Sequence, residues 1–173
     1  MFNLCETVKL GGRIDIKQFD NKKSFINICF TNEMRKKVNN ERMQEYLKRG
    51  GTKLNIEKLK YDKNSQDFIL MKGMPLIARR NRKDLNIFNN ERFICEMIKS
   101  NKIIIKNDNG DKIDVNIEDI NKLFYLGFCF TTHRAQGETI NEDYTIYEWD
   151  KMNTKLRYVA LSRSTDKKYM NII

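Results

Sequence analysis

The run at positions 124–131 constrains the fold of this chain more than any other segment. Its residues, FYLGFCFT, are almost continuously apolar. The run is far shorter than the ~20 residues of a membrane span and is typical of a β-strand buried on both faces of a parallel sheet. The polar segment THRAQGET follows it directly. We therefore expect an α/β fold in which this polar segment lies at the carboxyl end of a buried strand.

A second strand begins an α/β unit nearer the N-terminus. Phe25–Phe30 is rich in β-forming residues, and Thr31 and Asn32 are residue types that cap helices. The pattern predicts a helix from there to about Lys48, where two glycines follow. A strand followed directly by a helix is the first half of a parallel α/β unit.

Residues 50–118 have a different pattern, which is typical of a small antiparallel sheet. Lys102–Lys106 and Lys112–Ile117 flank an Asn-Gly step, and this arrangement predicts a β-hairpin. Asp67–Met71 and Met74–Ala78 predict two further short strands, the second beginning near the single proline of the chain. We interpret this stretch as a β-rich insertion.

The α/β pattern resumes after the insertion. Tyr144–Glu148 and Tyr169–Ile173 predict strands, and Thr154 is placed to cap a helix between them. The sequence therefore predicts one α/β domain, made of residues 1–49 and 119–173, which the β-rich residues interrupt.

The charge of the chain indicates a polyanionic partner. Lysine and arginine outnumber aspartate and glutamate by 33 to 23, which gives a net charge of +10. Such a surplus favours a nucleic acid or an anionic membrane surface. No signal peptide and no basic amphipathic helix with a clean apolar face is evident, so we expect nucleic acid and no membrane.

The four cysteines lie far apart, without the paired spacing of zinc sites or disulfide frameworks. This spacing predicts reduced thiols in an intracellular protein, whether of the cytoplasm, the nucleus or a viral factory, and no metal site. No Walker A pattern occurs in the sequence, so the chain alone is not expected to hydrolyse a nucleotide.

The polar segment after the buried strand has two interpretations. Its donors and its glycine suit contacts with phosphate or sugar, and an ordinary polar loop would have the same composition. His133, the single histidine, is four residues beyond Cys129, and no residue that would orient it is placed by the sequence. A hydrolase pairing with Ser162 lacks the glycines of a nucleophile elbow. Neither pairing is therefore favoured.

Arg163 and a basic run each have two interpretations. Arg163 follows an apolar helical stretch, where it either complements the helix dipole or reaches the γ-phosphate of a nucleotide. Arg79, Arg80 and Arg82 belong to a basic run, which is either a solvated face or a contact with a phosphate backbone.

These segments together resemble a family. LGFCFTTHRAQGETI at 126–140 is similar to motif V of superfamily 1 helicases, and RYVALSRST at 157–165 is similar to motif VI. NICFTNE at 27–33 resembles motif IV, and PLIARRNRKDLNIFNNE at 75–91 resembles the segment before the β insertion in the RecD-like and Pif-like branch. The resemblance covers nearly the whole chain and is strongest in its last 50 residues.

The resemblance implies the second RecA-like domain of an ATP-dependent helicase, with a barrel-like β insertion. The parent protein would translocate 5′→3′ on single-stranded DNA, with RNA as the alternative, and would unwind duplexes in replication or repair. Its source would be a large DNA virus or another AT-rich genome. ATP and Mg²⁺ would be held mainly by an N-terminal RecA-like domain of the same parent protein, so this chain would be an inactive fragment by itself.

The resemblance also implies roles for individual residues. Arg163 would be the arginine finger, and the residues beside the nucleotide would be Gln136, Gly137 and Glu138. Contacts with the strand would come from Thr132, His133 and Arg134, and Gln136 would link the strand to the ATP site. The basic run would add Arg79, Arg80 and Arg82 to the strand contacts. Relatives carry a ribose-contacting glutamate two positions after the motif V glycine, whereas Glu138 is one position after it. A second phosphate-sensing arginine is unassigned, with Arg35 as a candidate.

A different class of function also fits the composition. A non-catalytic basic module could bind nucleic acid through the β insertion and use the α/β frame as a scaffold, because fold alone does not determine function.

Overall fold

The computed structural model describes residues 2–173 and contains two compact units. The first unit comprises the residues up to Val38 together with Cys129–Ile173, and the second comprises Asn39–Phe128. The chain is a mixed α/β protein, because the first unit holds a parallel sheet with helices and the second holds antiparallel sheets.

Eleven strands and five α-helices are assigned within these residues. The strands in chain order are β1 (Ile26–Cys29), β2 (Leu54–Ile56), β3 (Phe68–Leu70), β4 (Pro75–Ala78), β5 (Arg92–Ile98), β6 (Lys102–Asn107), β7 (Lys112–Asn116), β8 (Phe124–Leu126), β9 (Cys129–Thr131), β10 (Tyr144–Ile146) and β11 (Met170–Ile172). The helices are α1 (Phe2–Lys9), α2 (Asn32–Leu47), α3 (Ile120–Leu123), α4 (Thr132–Ala135) and α5 (Thr154–Leu161).

The sheet of the first unit has the strand order β11-β10-β1-β9, and every neighbouring pair is parallel. All residues of these four strands are buried, as expected for a sheet covered on both faces. The predicted parallel α/β fold is therefore confirmed.

The predicted cap of α2 is confirmed at Thr31. Its hydroxyl accepts a hydrogen bond from the backbone N–H of Met34 at 3.1 Å, which satisfies one of the free donors of the first turn. The backbone N–H of Thr31 donates to the carboxylate of Glu148 at 2.8 Å. A residue two positions beyond β10 therefore fixes the start of the helix that follows β1.

The apolar run at 124–131 was predicted to be one strand, and that prediction is wrong. The run forms two strands, because Gly127 separates β8, which pairs antiparallel with β4, from β9, which pairs parallel with β1. The N–H of Gly127 donates to the carbonyl of Pro75 at 2.8 Å, and a Cβ at this position would lie only 3.0 Å from backbone carbon of Leu76. The close backbone approach requires glycine and ends β8.

The second unit is built on a five-stranded antiparallel sheet of order β7-β6-β5-β4-β8, beside a two-stranded sheet of β2 and β3. The predicted hairpin is present as β6 and β7. This unit is larger than residues 50–118. Met43 of α2 packs into the same core as Phe93 and Phe124, so both ends of the unit extend beyond the predicted insertion.

No helix within residues 2–173 is long and apolar enough to cross a membrane.

Candidate functional site

The polar segment after β9 lies where the sequence places it, at the carboxyl ends of parallel strands. Thr132–Ala135 forms one helical turn directly after β9. The hydroxyl of Thr132 donates to the carbonyl of Cys29 at 3.1 Å, which joins this turn to the carboxyl end of β1. Ligands of open α/β sheets bind at this edge.

A glycine loop follows the helical turn. Gly137 has a φ of +94°, and open space lies where a Cβ would project from it. Its neighbour Gln136 is exposed and Glu138 is half-buried. A backbone without a side chain at such an edge allows a phosphate or sugar to approach its N–H groups closely.

The side chain of Arg163 lies against this glycine loop. Its Nη1 donates to the carbonyls of Ala135 at 3.1 Å and of Glu138 at 2.9 Å. Its Nε donates to the carbonyl of Val159 at 2.9 Å, and its Nη2 donates to the hydroxyl of Ser162 at 2.9 Å. These bonds use four of the five N–H groups of the guanidinium. The fork therefore links the end of α5 to both sides of Gly137.

Backbone contacts reinforce the same arrangement. The N–H of Ile140 donates to the carbonyl of Arg163 at 2.7 Å. The buried hydroxyl of Tyr144 donates to the carbonyl of Ala160 at 2.9 Å, near the end of α5. Burial raises the pKa of Tyr144 and the positive charge of Arg163 acts in the opposite direction, so the phenol stays protonated and remains a donor. The structure thus brings the motif V and motif VI segments together.

The residues expected to contact a strand differ in their exposure. His133 is exposed and Arg134 is half-buried. Thr132 has no exposed surface, and its hydroxyl is directed at the carbonyl of Cys29 and the sulfur of Met152. His133 is therefore open to solvent and Arg134 is partly so, whereas Thr132 holds the turn in place.

Two arginines in the basic run of the second unit are engaged in ion pairs. The Nη2 of Arg79 lies 2.8 Å from the carboxylate of Asp62, and the two side chains are only 13% and 12% exposed. Arg82 makes a bidentate contact with Asp84, with both distances 2.8 Å. Arg80 is exposed. The three arginines therefore have different surroundings despite their proximity in sequence.

Sequence reasoning missed Arg157, which helps to position the candidate site. Arg157 donates to the carbonyls of Trp149 and Asp150 at 3.1 and 3.2 Å, and so fixes the turn before α5. Its position inside the motif VI segment was the available signal.

The side chain of Arg35 is 1% exposed and its Nε donates to Asn32 at 3.0 Å, so it lies in the interior of the first unit. Within residues 2–173, no group of three or more His, Cys, Asp and Glu side chains could hold a metal ion.

No protein-family model and no protein of curated function matches this sequence. Solved structures do match it along nearly its whole length. Bacteroides Pif1 bound to single-stranded DNA superposes with a TM-score of 0.76 at 18% identity, over 99% of this chain and 48% of that one. The fold of this chain is that of part of a Pif1 helicase. Pif1 helicase from Candida albicans gives a TM-score of 0.74 at 12% identity, over 99% of this chain and 52% of that one.

The chain thus spans about half the length of the Pif1 structures it matches. Bacteroides Pif1 in complex with ADP-AlF4 also matches, with a TM-score of 0.60 and 18% identity. The resemblance to superfamily 1 helicases that motifs IV, V and VI indicated is therefore confirmed for the fold.

Proposed function

We propose that this chain is the second RecA-like domain of an ATP-dependent superfamily 1 helicase. The parent protein would translocate 5′→3′ on single-stranded DNA and unwind duplexes. The observation that carries this proposal is the contact between Arg163 and the loop around Gly137, which joins the two motif segments at the ligand-binding edge of a parallel sheet. The match of the whole chain to about half of Pif1 supports it.

Arg163 would act as the arginine finger. The carbonyls of Ala135 and Glu138 are neutral acceptors, whereas a γ-phosphate is anionic and makes stronger, charge-assisted bonds with a guanidinium. Arg163 would exchange loop carbonyls for phosphate oxygens when the parent protein binds ATP. Its fixed positive fork would then stabilise the charge that develops on the transferred phosphoryl group.

The glycine loop suits the edge of a nucleotide. The φ of Gly137 and the space above it let a ligand approach the backbone, while Gln136 and Glu138 flank that position. ATP and Mg²⁺ would be held mainly by an N-terminal RecA-like domain of the parent protein, and ATP would supply the phosphoryl group. The residues of this chain would orient the nucleotide and couple its presence to the strand.

The strand contacts would come from exposed and half-buried side chains. His133 and Arg134 follow the buried Thr132, which would position them and would not itself touch the strand. Arg80 and Arg82 of the second unit would bind phosphates, with Arg82 held by Asp84. Arg79 would contribute through its ion pair with Asp62 and would support the fold of the basic run.

The test is the substitution Arg163→Ala in the parent protein, with Lys155→Ala as the matched control. Lys155 is an exposed cation on α5, and no role is assigned to it. We expect Arg163→Ala to lower the DNA-stimulated ATPase rate by about 10³-fold, which is the scale of an arginine finger, with strand affinity nearly unchanged. The control should retain its rate. An undiminished rate in Arg163→Ala would favour the non-catalytic binding module instead.

A further inference from the structure

We propose that an open pocket in the second unit binds one nucleobase of a single-stranded nucleic acid, a proposal that rests on the strand-binding function above. The pocket has a volume of about 530 Å³, within the range of small-ligand sites. It lies wholly within residues 46–98. The motif V segment is not part of it.

The lining of the pocket is mainly apolar. Met71, Met97 and Ile98 provide thioether and aliphatic surface, and Tyr46 provides an aromatic ring. Thioethers are polarizable and make favourable contacts with ring systems. A flat, uncharged ring is therefore better suited to this interior than a charged group.

Glycines hold the pocket open. Gly73 has a φ of +85°, and a Cβ at this position would collide with the hydroxyl oxygen of Tyr46. The Tyr46 hydroxyl donates to the carbonyl of Lys72 at 3.4 Å, and its ring packs against Phe128 at 5.9 Å. Gly51 has a φ of +123°, and a Cβ there would lie 3.3 Å from the terminal methyl of Met71. The space is thus a consequence of the backbone and of a fixed tyrosine.

A β-bulge directs one lining residue outward. The pairing of β5 with β6 shifts its register between Cys95 and Met97, and Met97 is 45% exposed. Bulges commonly redirect a side chain at functional positions. Met97 therefore lies at the mouth of the pocket, where its side chain is accessible to a ligand.

Basic residues, here called the rim, lie within or next to the segments that line the pocket. Each lining segment contains or adjoins an exposed basic residue: Lys48, Arg49, Lys53, Lys72 and Lys99. The guanidinium of Arg49 lies 4.3 Å from the centre of the Tyr46 ring. Glu96, next to Met97, is paired with Lys112 at 3.2 Å. The same carboxylate also interacts electrostatically with Lys72, and the rim keeps a positive excess because Lys48, Arg49, Lys53 and Lys99 carry four further charges.

An apolar interior with a cationic rim matches the chemistry of a nucleotide chain. The base would enter between Met97 and Tyr46, and the phosphates on either side of it would meet the rim lysines. An uncharged ligand would not use the rim. An acidic peptide with an aromatic side chain would use both the apolar interior and the cationic rim, and the experiment distinguishes it from a nucleic acid.

The experiment measures binding of fluorescent oligothymidylate, on the order of ten nucleotides long, to the 173-residue chain. An oligonucleotide of equal length with abasic positions has the same phosphates and is the reference. We expect the wild-type chain to prefer the intact oligonucleotide by about five-fold or more, the scale of one base contact. Met97→Ala should reduce this preference to near unity, and Tyr61→Ala, which removes an exposed aromatic outside the pocket, should preserve it.

A second measurement locates the base directly. Photo-crosslinking of an oligonucleotide that carries 5-iodouracil should label Tyr46 or Met97. The proposal is overturned by equal affinity for both oligonucleotides, by an unchanged preference in Met97→Ala, by crosslinks elsewhere, or by an acidic aromatic peptide that binds where the oligonucleotide does not. Each of these results leaves the motor function to be judged by the ATPase rate of Arg163→Ala, so the two failures are distinguishable.

Discussion

The ion pair between Arg79 and Asp62 leads to a quantitative prediction, because it makes Arg79 a structural residue within a basic run. Arg79 donates to the Asp62 carboxylate at 2.8 Å and to the carbonyl of Asn121 at 3.3 Å, and it lies 4.8 Å from the centre of the Tyr125 ring. The Tyr125 hydroxyl donates to the same carboxylate at 2.9 Å. Arg79→Ala would therefore leave Asp62 with less compensation in a half-buried site.

The magnitude follows from the contacts that are lost. A hydrogen bond to a charged group contributes about 1.5–3 kcal/mol, and a cation–π contact about 0.5–1 kcal/mol. We expect Arg79→Ala to lower the free energy of unfolding by about 3 kcal/mol. With a slope of about 2 kcal/mol per molar urea, the unfolding midpoint should fall by about 1.5 M.

Urea denaturation of Arg79→Ala, with Arg80→Ala as the control, checks this prediction. Because Arg80 is exposed, Arg80→Ala should leave the unfolding midpoint nearly unchanged. Below the transition, folded Arg79→Ala should bind single-stranded DNA almost as the wild-type chain does. If Arg79→Ala kept the wild-type midpoint and lost strand affinity instead, Arg79 would be a phosphate contact and not a structural residue.

Three further predictions concern the first unit. Thr145→Val should lower the free energy of unfolding by about 2 kcal/mol, measured by urea denaturation, because the buried Thr145 hydroxyl accepts from the N–H of Ser24 at 2.9 Å and valine leaves that donor unsatisfied. Burial would raise the pKa of Glu148, but hydrogen bonds from Thr31 and Lys151 outweigh burial and lower this pKa. The resulting stabilisation is present above the ordinary pKa of 4.5 and is lost as pH falls through the lowered value. Glu148→Gln should therefore flatten the acid limb of a plot of unfolding midpoint against pH. Gly137→Ala should lower the melting temperature slightly, because its φ of +94° is strained for alanine by about 1 kcal/mol, and should raise the KM for ATP in the parent protein.

Most elements of the fold could be predicted from local patterns. The strand-then-helix pattern at 25–48, the Thr31 cap and the Asn-Gly hairpin are determined by neighbouring residues, and each is present. The cap of α5 is Asn153 and not the predicted Thr154. Both residue types cap helices, so the sequence alone does not distinguish these two neighbouring positions.

The misses depended on contacts between distant residues. The break at Gly127 arises from the backbone of Leu76, and nothing within the apolar run indicates it. The strand β5 was not predicted, because the bulge between Cys95 and Met97 interrupts the alternation of buried and exposed residues.

The residue types of the candidate site could be predicted from the sequence, whereas the partners that these residues contact could not. Motif order placed Arg163 near the residues around Gly137, and the structure brings them together. The burial of Thr132 and the pairing of Arg79 with Asp62 depend on partners far away in sequence. Residue type alone therefore could not separate a strand contact from a structural cation.

The most direct test of the motor proposal compares two ligands of the parent protein, ADP and ADP–aluminium fluoride, in the wild type and in Arg163→Lys. Lysine keeps the charge and loses the fork that contacts Ala135 and Glu138. If Arg163 stabilises the transferred phosphoryl group, affinity for ADP–aluminium fluoride should fall by about 10²- to 10³-fold and affinity for ADP should change little. Equal affinity changes for both ligands would contradict the proposal and would show that Arg163 only anchors the loop.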